Sequence, residues 1–307
     1  MPCRNDWRRV LWYDSRMELR VLNYFLAAAR CGSITKAAES LNVTQPTMSR
    51  QLKDLEWELG ETLFRRTNYA IRLTAAGELL RERAEDILAI ADKTVRDFKS
   101  LKSGEIAGDV SIACAESKNI SFLAACIRAV RTAHPNIRCH LYAGDSERAL
   151  EKLDRGLIDC AVIVEHADVA TYNCLTVPGA DEWGVVMRRD SPLAQKAAVT
   201  KDDLLALPLI ASRQALRADL PQWFGDDSGR LNVAATLDLS YNGSRLVREG
   251  VGYLLTFGGI IGEDETLCFR PLSPPLTTAM HVIWRRGQHL APAAQALLDE
   301  LRRRVAS

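Results

Sequence analysis

The chain has 307 residues, of which 47% are hydrophobic and 26% charged, as is typical of a globular protein of two or three domains. Its formal net charge is only +1, so the total charge of the chain does not favour binding to nucleic acid, and only a local basic surface could do so. No apolar run approaches the roughly 18 residues of a membrane span, and residues 1–16 lack the apolar core and cleavage site of a secretory signal. We therefore expect a cytoplasmic protein without a membrane partner, in which residues 1–16 are either a disordered tail or precede the true start at Met17.

Neither the cysteines nor the histidines form a recognisable reactive cluster. The eight cysteines include no CxxC pair and the five histidines are scattered, so we expect buried, reduced thiols and no metal site. The alternative is a redox sensor, which would need an exposed thiol of low pKa and a resolving partner. The sequence also lacks a Gly-x-Ser-x-Gly elbow and a phosphate-binding glycine loop, so we expect no cofactor, no catalytic residue and no enzyme.

Two short helices are predicted at the start of an N-terminal domain, which we place at residues 17–74. Apolar residues recur every three or four positions between residues 19 and 29, which gives one helical face, and Gly32 follows as a stop signal. Ser33 is a suitable N-cap for the second helix, which is expected to end at about Leu41.

A third helix and a β-wing complete this domain. Thr44 is a suitable N-cap for the helix, Pro46 fits its first turn, and Gly60 follows it as a C-terminal stop. Residues 61–73 contain two short extended stretches around a turn at Thr67-Asn68, which is typical of a wing.

The segment between the second and third helices carries the pattern of a helix-turn-helix. Ala37 and Ala38 allow two helices to cross closely, and Asn42 tolerates the positive φ that the tight turn needs. Four apolar residues are predicted to form the small core between the helices: Leu41, Val43, Met48 and Leu52.

Polar side chains on the outward face of the third helix are the candidate DNA contacts. Gln and Arg can make bidentate hydrogen bonds with adenine and guanine edges in the major groove, whereas Ser, Thr and Lys suit phosphate oxygens. The outward residues of these types are Gln45, Thr47, Ser49, Arg50 and Lys53. The wing adds three arginines suited to phosphates or a narrow minor groove, Arg65, Arg66 and Arg72. An ordinary solvated face is the alternative for both sets, and the acidic second half of the helix is expected to face away from DNA.

A long helix is predicted over residues 75–101. Its apolar positions recur every three or four residues, close to a heptad seam: Leu80, Ala84, Ile87, Ala91, Val95 and Phe98. We assign residues 75–103 to a linker and dimerisation helix and residues 104–108 to a hinge; the alternative is a helix folded onto its own domain.

Strands and helices alternate from residue 109 onward, which predicts two α/β units with a parallel sheet in each. The first unit has strands at 110–115, 138–143 and 158–164 and helices at 120–132 and 146–155. The second has strands at 183–187, 209–211, 233–238 and 253–256 and helices at 202–205, 215–224 and 243–249. A strand at 280–284 and a helix at 292–304 close the chain. Two such units imply a cleft between them, where ligands usually bind.

The segment from Ala37 to Glu56 resembles the LysR-type transcriptional regulators, as do Leu59-Gly60, Leu63-Phe64-Arg65-Arg66 and Leu73-Thr74-Ala75-Ala76-Gly77. The resemblance covers residues 17–307 and is strongest before about residue 81. It implies a sequence-specific regulator that binds promoter DNA as a homodimer or homotetramer, responds to a small-molecule effector and contacts RNA polymerase. It also implies that the DNA contacts include Gln45, Pro46, Thr47, Ser49 and Arg50.

The fold implied by the resemblance is an α+β multidomain chain. A winged helix-turn-helix and a long linker helix precede an α/β domain of two Rossmann-like subdomains, similar to a periplasmic solute-binding protein. Subdomain I would comprise residues 109–178 and 279–307, and subdomain II residues 179–278. The alternatives are a solute-binding or enzymatic domain whose N-terminal helices only mediate oligomerisation, and a chromosome-organising protein that binds DNA without site preference.

In this architecture the loop after the first strand opens a helix toward the cleft. A helix N-terminus favours anions, and the candidate effector-binding residues there are Ser117, Lys118, Asn119 and Ser121. Across the cleft, Ser212 and Arg213 would clamp a carboxylate. Further candidates follow other strands, namely Gly144, Asp145, Ser146 and Tyr241. We expect a small carboxylate-bearing effector; the alternatives are that the Ser and Asn residues only cap helices, and that Glu116 and Asp145 oppose an anion by pointing inward.

Overall fold

The structure is a computed structural model that describes residues 17–66, 70–101, 105–164 and 171–306. The tail 1–16, the predicted turn at Thr67-Asn68 and residues 102–104 of the predicted linker and hinge lie outside the described residues. The chain divides into two units, Met1–Val95 and Arg96–Ser307, so the division falls inside the long helix rather than at either of its ends.

Three helices open the first unit: α1 (Leu19–Cys31), α2 (Ile34–Ser40) and α3 (Gln45–Leu59). The hydroxyl oxygens of Ser33 and Thr44 each accept a hydrogen bond from a backbone N–H three residues later, at 3.4 Å, and so cap α2 and α3 as the sequence predicts. Gly32 and Gly60 end α1 and α3 in the left-handed conformation. Asn42 adopts a φ of 53° in the turn between α2 and α3, again as predicted.

Two of the four residues predicted for the small core between these helices are fully buried, and the other two are not. Met48 and Leu52 are fully buried, as predicted, whereas Leu41 and Val43 are only half-buried and pack against the outside of the same cluster. Phe25 is the largest fully buried side chain of this core. The core therefore lies between α1 and the inner faces of α2 and α3.

The wing is an antiparallel pair of β1 (Phe64–Arg66) and β2 (Ile71–Leu73). Phe64 anchors it to the core, because its ring centroid lies 5.2 Å from that of Phe25 at an interplanar angle of 49°.

The long helix α4 (Ala75–Leu101) is observed where it was predicted, but its apolar seam divides into two parts. Leu80 and Ala84 are buried in the core of the first unit, so here the helix packs onto its own domain, as in the alternative interpretation. Val95 and Phe98 are 54% and 64% exposed. Only the second half of the seam therefore leaves apolar side chains uncovered in the single chain.

The second unit alternates strands and helices. Its elements are β3 (Gly108–Cys114), α5 (Ile120–Ala133), β4 (Ile137–Ala143), α6 (Ser146–Asp154), β5 (Cys160–Ile163), β6 (Tyr172–Arg188), β7 (Val199–Thr200), α7 (Lys201–Leu204), β8 (Leu209–Ser212), α8 (Arg213–Arg217), α9 (Asp219–Phe224), β9 (Val233–Leu237), α10 (Ser240–Arg248), β10 (Tyr253–Phe257), β11 (Leu267–Ser273), β12 (Thr277–Arg285) and α11 (Pro292–Val305). Two 3₁₀ turns lie at Pro192–Gln195 and Gly225–Arg230.

Ten strands of this unit form one sheet, with β4-β3-β5-β12-β6-β10-β8-β9 as its main order. The group β4-β3-β5 is parallel, and so are the pairs of β8 with β9 and with β10. The long strands β6 and β12 pair antiparallel between these two groups. The sheet thus contains two α/β groups joined through β6 and β12, whereas the subdomain boundary at residues 178 and 179 stays a prediction.

Several elements of this unit differ from the sequence-based prediction, and one of them is the two-residue strand β7, which was not predicted. β6 has 17 residues instead of five, since Pro178 and Gly179 look like a break in the sequence although the strand continues through them. β11 was not predicted at all. The predicted helix at 215–224 is two short helices that break at Ala218, with Pro221 in the first turn of the second one, where its missing N–H costs little.

Candidate functional site

The outward face of α3 is the first candidate site. Its exposed residues are Gln45, Pro46, Thr47, Arg50 and Lys53, whereas Ser49 is half-buried. The Thr47 hydroxyl lies 2.8 Å from the Thr44 hydroxyl, so Thr47 also takes part in the helix cap. The side chain of Arg50 is 85% exposed, and its Nε lies 3.9 Å from an Asp54 carboxylate oxygen, at the limit of an ion pair. Its guanidinium group is therefore available to a ligand.

The wing brings two arginines face to face. Arg65 and Arg72 are direct cross-strand partners, and both side chains are exposed. Directly opposed residues of an antiparallel pair project from the same face, about 5 Å apart, where like charges repel each other. A phosphate between them would offset that repulsion. Arg66 lies on β1 opposite Ile71, and its side chain is outside the described part of the structure.

Glu56 of α3 ties this helix to the wing. Its Oε1 accepts hydrogen bonds from the backbone N–H groups of Leu63 at 2.8 Å and Phe64 at 3.2 Å. The start of α4 packs closely on the backbone of Leu63, since a Cβ added to Gly77 would lie 2.2 Å from the Leu63 carbonyl oxygen. In the sequence, Glu56 is only one of the acids expected to face away from DNA, and no local pattern indicates this positioning role.

The second candidate site is a cavity of about 70 Å³ in the second unit. It is lined by residues at the carboxyl ends of the parallel strands in both α/β groups, where ligands bind in open α/β sheets. Four of the predicted effector-binding residues line it: Gly144, Asp145, Ser212 and Arg213. The other six lie outside the lining: Ser117, Lys118, Asn119, Ser121, Ser146 and Tyr241.

A carboxylate of the protein itself occupies the predicted anion position at the N-terminus of α5. Asp181 on β6 is completely buried; it accepts a hydrogen bond from the Ser117 hydroxyl at 2.5 Å and one from the Lys118 backbone N–H at 3.2 Å. The Asn119 backbone N–H donates to the Ser117 hydroxyl oxygen at 2.9 Å, and the Ser121 hydroxyl donates to the Lys118 carbonyl oxygen at 3.3 Å. These contacts support the alternative in which this segment serves the helix end.

Two other helix N-termini at the cavity also have protein acceptors, and both contacts join one α/β group to the other. The backbone N–H of Ser240 at the start of α10 donates to Glu116 Oε2 at 2.7 Å. The backbone N–H of Ser146 at the start of α6 donates to Gln214 Oε1 at 3.1 Å. The helix ends are thus satisfied from within the chain, and their attraction for an external anion is reduced.

Comparison with known proteins assigns the chain to a family. A family model described as the LysR substrate binding domain matches residues 103–306. The chain belongs to the LysR family. The model described as bacterial regulatory helix-turn-helix protein, lysR family, matches residues 19–78, which contain α3 and the wing.

Several relatives share this organisation. A protein of Synechocystis sp. named "Probable nitrogen assimilation transcriptional activator" is 31% identical over 259 residues, which cover 84% of this chain and 79% of that protein. A protein of the same name from Synechococcus elongatus is 30% identical over 293 residues and covers 93% and 92%. The structure of full-length CbnR complexed with its target DNA shares the fold, with a TM-score of 0.74 at 22% identity over 94% of this chain and 99% of that one.

This LysR-family chain is a DNA-binding transcription regulator with a substrate-binding domain, and its family and relatives are transcriptional regulators rather than enzymes. Among the described residues, no helix combines the length and the apolar character needed to cross a membrane. Nor do the described residues hold a group of three or more His, Cys, Asp or Glu side chains placed to bind a metal ion.

The described part of the chain contains seven cysteines of this regulator, and no disulfide joins any of these seven. Burial raises the pKa of Cys114 to about 12 and that of Cys126 to about 11, and it also raises the pKa of Cys139 and Cys174. Such thiols are poor nucleophiles near neutral pH. These four cysteines fit the interpretation as inert packing residues better than the redox alternative.

Proposed function

We propose that this regulator reads a promoter site with α3 and holds the flanking phosphates with its wing. The observation that carries the proposal is the exposed and nearly unpaired guanidinium of Arg50, which lies one helical turn after the exposed Pro46 of α3. A guanidinium in this position suits the O6 and N7 acceptors of guanine. Arg65 and Arg72 suit a phosphate, which removes the repulsion between them.

The test is binding of the full-length protein to the promoter DNA beside its own gene, followed by fluorescence anisotropy at several salt concentrations. Arg50→Ala should cost about 1–3 kcal/mol and relax the preference for the specific site. Arg72→Ala should weaken binding to all sequences and reduce the salt slope by about 1. Arg20→Ala, on the exposed side of α1 next to Glu18, is the matched control.

Each outcome separates the alternatives. If Arg50→Ala binds the specific site as tightly as the unchanged protein, α3 does not read base edges here. Equal affinity of the unchanged protein for specific and random DNA would instead favour the chromosome-organising alternative. Absence of DNA binding would favour a solute-binding protein whose N-terminal helices only mediate oligomerisation.

We further propose that an effector in the cavity of the second unit controls this binding, with a carboxylate directed at Arg213. Two observations support this: Arg213 lines the cavity, and it has no ion-pair partner among the described residues. Ser212, Gly144 and Asp145 line the same cavity. Ser117 lies outside the lining and donates a hydrogen bond to Asp181 instead. A genome-wide map of bound sites would identify the pathway, and Arg213→Gln should then abolish the response to its metabolites without weakening DNA binding.

A homodimer through the exposed second half of the α4 seam is also proposed, with Val95 and Phe98 as its apolar contacts. Pairing of two such dimers into a homotetramer, and contact with RNA polymerase during activation, rest on the family alone. Light scattering of the full-length protein tests the first point, and in vitro transcription with purified polymerase tests the last.

A further inference from the structure

The cavity of the second unit is strongly asymmetric in charge. Among the described residues, its lining contains four carboxylates, those of Glu116, Asp145, Asp219 and Asp238, but only one basic side chain, that of Arg213. Arg148, which lies outside the lining, approaches Asp238 to 3.7 Å and neutralises part of this excess. A ligand whose only charge is negative would therefore meet one favourable partner and several repulsive ones.

The helix ends do not reverse this balance. The N-termini of α5, α6 and α10 would each attract an anion, but acceptors from within the chain already satisfy them. Asp181 lies at α5, Gln214 at α6 and Glu116 at α10. An anionic group of a ligand is left with Arg213 as its charged partner in the lining.

The Glu116 carboxylate, in contrast, keeps acceptor capacity. An ionised carboxylate has about four lone-pair sites, and Glu116 uses one of them for the backbone N–H of Ser240. Asp219 is oriented by a relay in which the Trp183 indole N–H donates to the Thr278 hydroxyl at 2.9 Å and that hydroxyl donates to Asp219 Oδ1 at 3.0 Å. A positively charged nitrogen with several N–H donors matches such acceptors.

The rest of the lining combines the polar residues Ser212, Gln214, Ser240 and Thr256 with several apolar side chains. The rings of Trp183 and Phe257 pack in a tilted arrangement, with centroids 4.4 Å apart and an interplanar angle of 58°, and Leu255 adds an aliphatic surface to the lining. The volume of about 70 Å³ restricts an occupant of this arrangement to a compact apolar skeleton.

We propose that the effector is amphoteric: a compact apolar molecule that carries a cationic nitrogen as well as a carboxylate, as an α-amino acid does. The nitrogen is recognised by the carboxylates of Glu116, Asp219 and Asp238, and the carboxylate by Arg213. This inference rests on the proposed effector function and names the chemical class that the cavity selects.

The experiment compares each amino acid with the amine that lacks its carboxylate and with the acid that lacks its amino group. Valine is tested with isobutylamine and 3-methylbutanoate, and phenylalanine with 2-phenylethylamine and 3-phenylpropanoate, by thermal shift and calorimetry on the full-length protein. At least one amino acid should bind at least about tenfold more tightly than its acid. An acid that binds as well as its amino acid, or no binding by any of the six molecules, would overturn the proposal.

Charge-neutralising variants link the preference to named side chains. Glu116→Gln keeps an oxygen acceptor for Ser240 but loses the charge, and should weaken amino-acid and amine binding about 10- to 100-fold. Asp238→Asn provides a second test if Glu116→Gln does not fold. Asp202→Asn, on the exposed surface of α7 outside the lining, is the matched control. Unchanged amino-acid affinity in a folded Glu116→Gln or Asp238→Asn variant would also overturn the proposal.

Specific DNA binding of the same preparations is measured in parallel. Absence of site-specific DNA binding by the unchanged protein would refute the proposed function itself. A protein that binds its promoter but prefers the acids would refute only the assignment of the effector class.

Discussion

Glu56 connects α3 to the wing through one oxygen atom, and its replacement tests whether that connection positions the wing arginines. In Glu56→Ala, the backbone N–H groups of Leu63 and Phe64 lose their acceptor at 2.8 and 3.2 Å. Both residues are buried, with 1% and 5% of their surface exposed, so solvent replaces the lost carboxylate poorly. The wing should then be free to separate from α3.

The expected cost follows from these two contacts. A hydrogen bond to a charged group contributes about 1.5–3 kcal/mol, but Glu56 is half-buried and its charge is partly screened by solvent. We therefore expect the pair to contribute about 2–3 kcal/mol, near the value for a single well-shielded bond. A loss of this size lowers the melting temperature of a unit of this length by roughly 10–20 °C. Glu56→Gln keeps one oxygen acceptor and should lose about half as much.

DNA binding distinguishes a positioning role from general destabilisation. Affinity for the promoter site is measured by anisotropy for Glu56→Ala, Arg65→Ala and the double variant, at a temperature where circular dichroism shows all three to be folded. If Glu56 acts through the wing, the two losses overlap, and the double variant is better by at least about 0.5 kcal/mol than the additive expectation. Additive losses, or full affinity in Glu56→Ala, would refute this reasoning.

Three further predictions follow from other parts of the chain. Gly77→Ala places a Cβ 2.2 Å from the Leu63 carbonyl oxygen and should destabilise the first unit by about 1–3 kcal/mol, measured by thermal melting; an unchanged melting temperature contradicts the close approach. Phe98→Glu puts a charge on the exposed seam of α4 and should shift the oligomer toward monomer in light scattering; Asp92→Glu is the control, and an unchanged mass refutes the dimer contact. At pH 8 only roughly one in 10⁴ Cys114 thiols is ionised, because its pKa is about 12, so iodoacetamide should label the exposed Cys31 well before Cys114. Since the thiolate is the reactive form, labelling of Cys114 should increase as the pH rises toward 12, and equal rates at pH 8 would contradict the assignment.

The N-terminal unit could be predicted from its sequence because its decisive interactions are local. The caps at Ser33 and Thr44 act over three residues, and Gly32, Asn42 and Gly60 adopt left-handed backbone conformations that follow from their own residue types. The same locality explains the limits. Glu56 contacts backbone groups seven and eight residues away across a turn, which no helix periodicity indicates.

The second unit was harder to predict wherever tertiary pairing overrides local preference. Pro178 and Gly179 are poor strand residues, yet β6 continues across them because β12 pairs with it on both sides, at Thr176 and at Ala180, with a register irregularity in between. β11 pairs with the far end of β6 and with β7, and neither partner is close to it in sequence. Burial along the α4 seam also depends on tertiary packing. The periodicity of its apolar residues could not show that Leu80 and Ala84 pack on the first unit while Phe98 stays exposed.

The cavity shows most clearly why residue type and loop position do not determine a ligand. Ser117, Lys118 and the N-terminus of α5 have the composition of an anion site, and they do bind a carboxylate, but it is that of Asp181, 63 or 64 residues farther along the chain. A fully buried carboxylate without such donors would be strongly unfavourable, so this polar set already has a structural task. The same reasoning applies to Glu116 at α10, where the acid fixes a helix end and also gives the cavity part of its negative charge. The charge selectivity that we propose for the cavity therefore follows from how the chain satisfies its own buried groups, which only the three-dimensional pairing of strands and helix ends reveals.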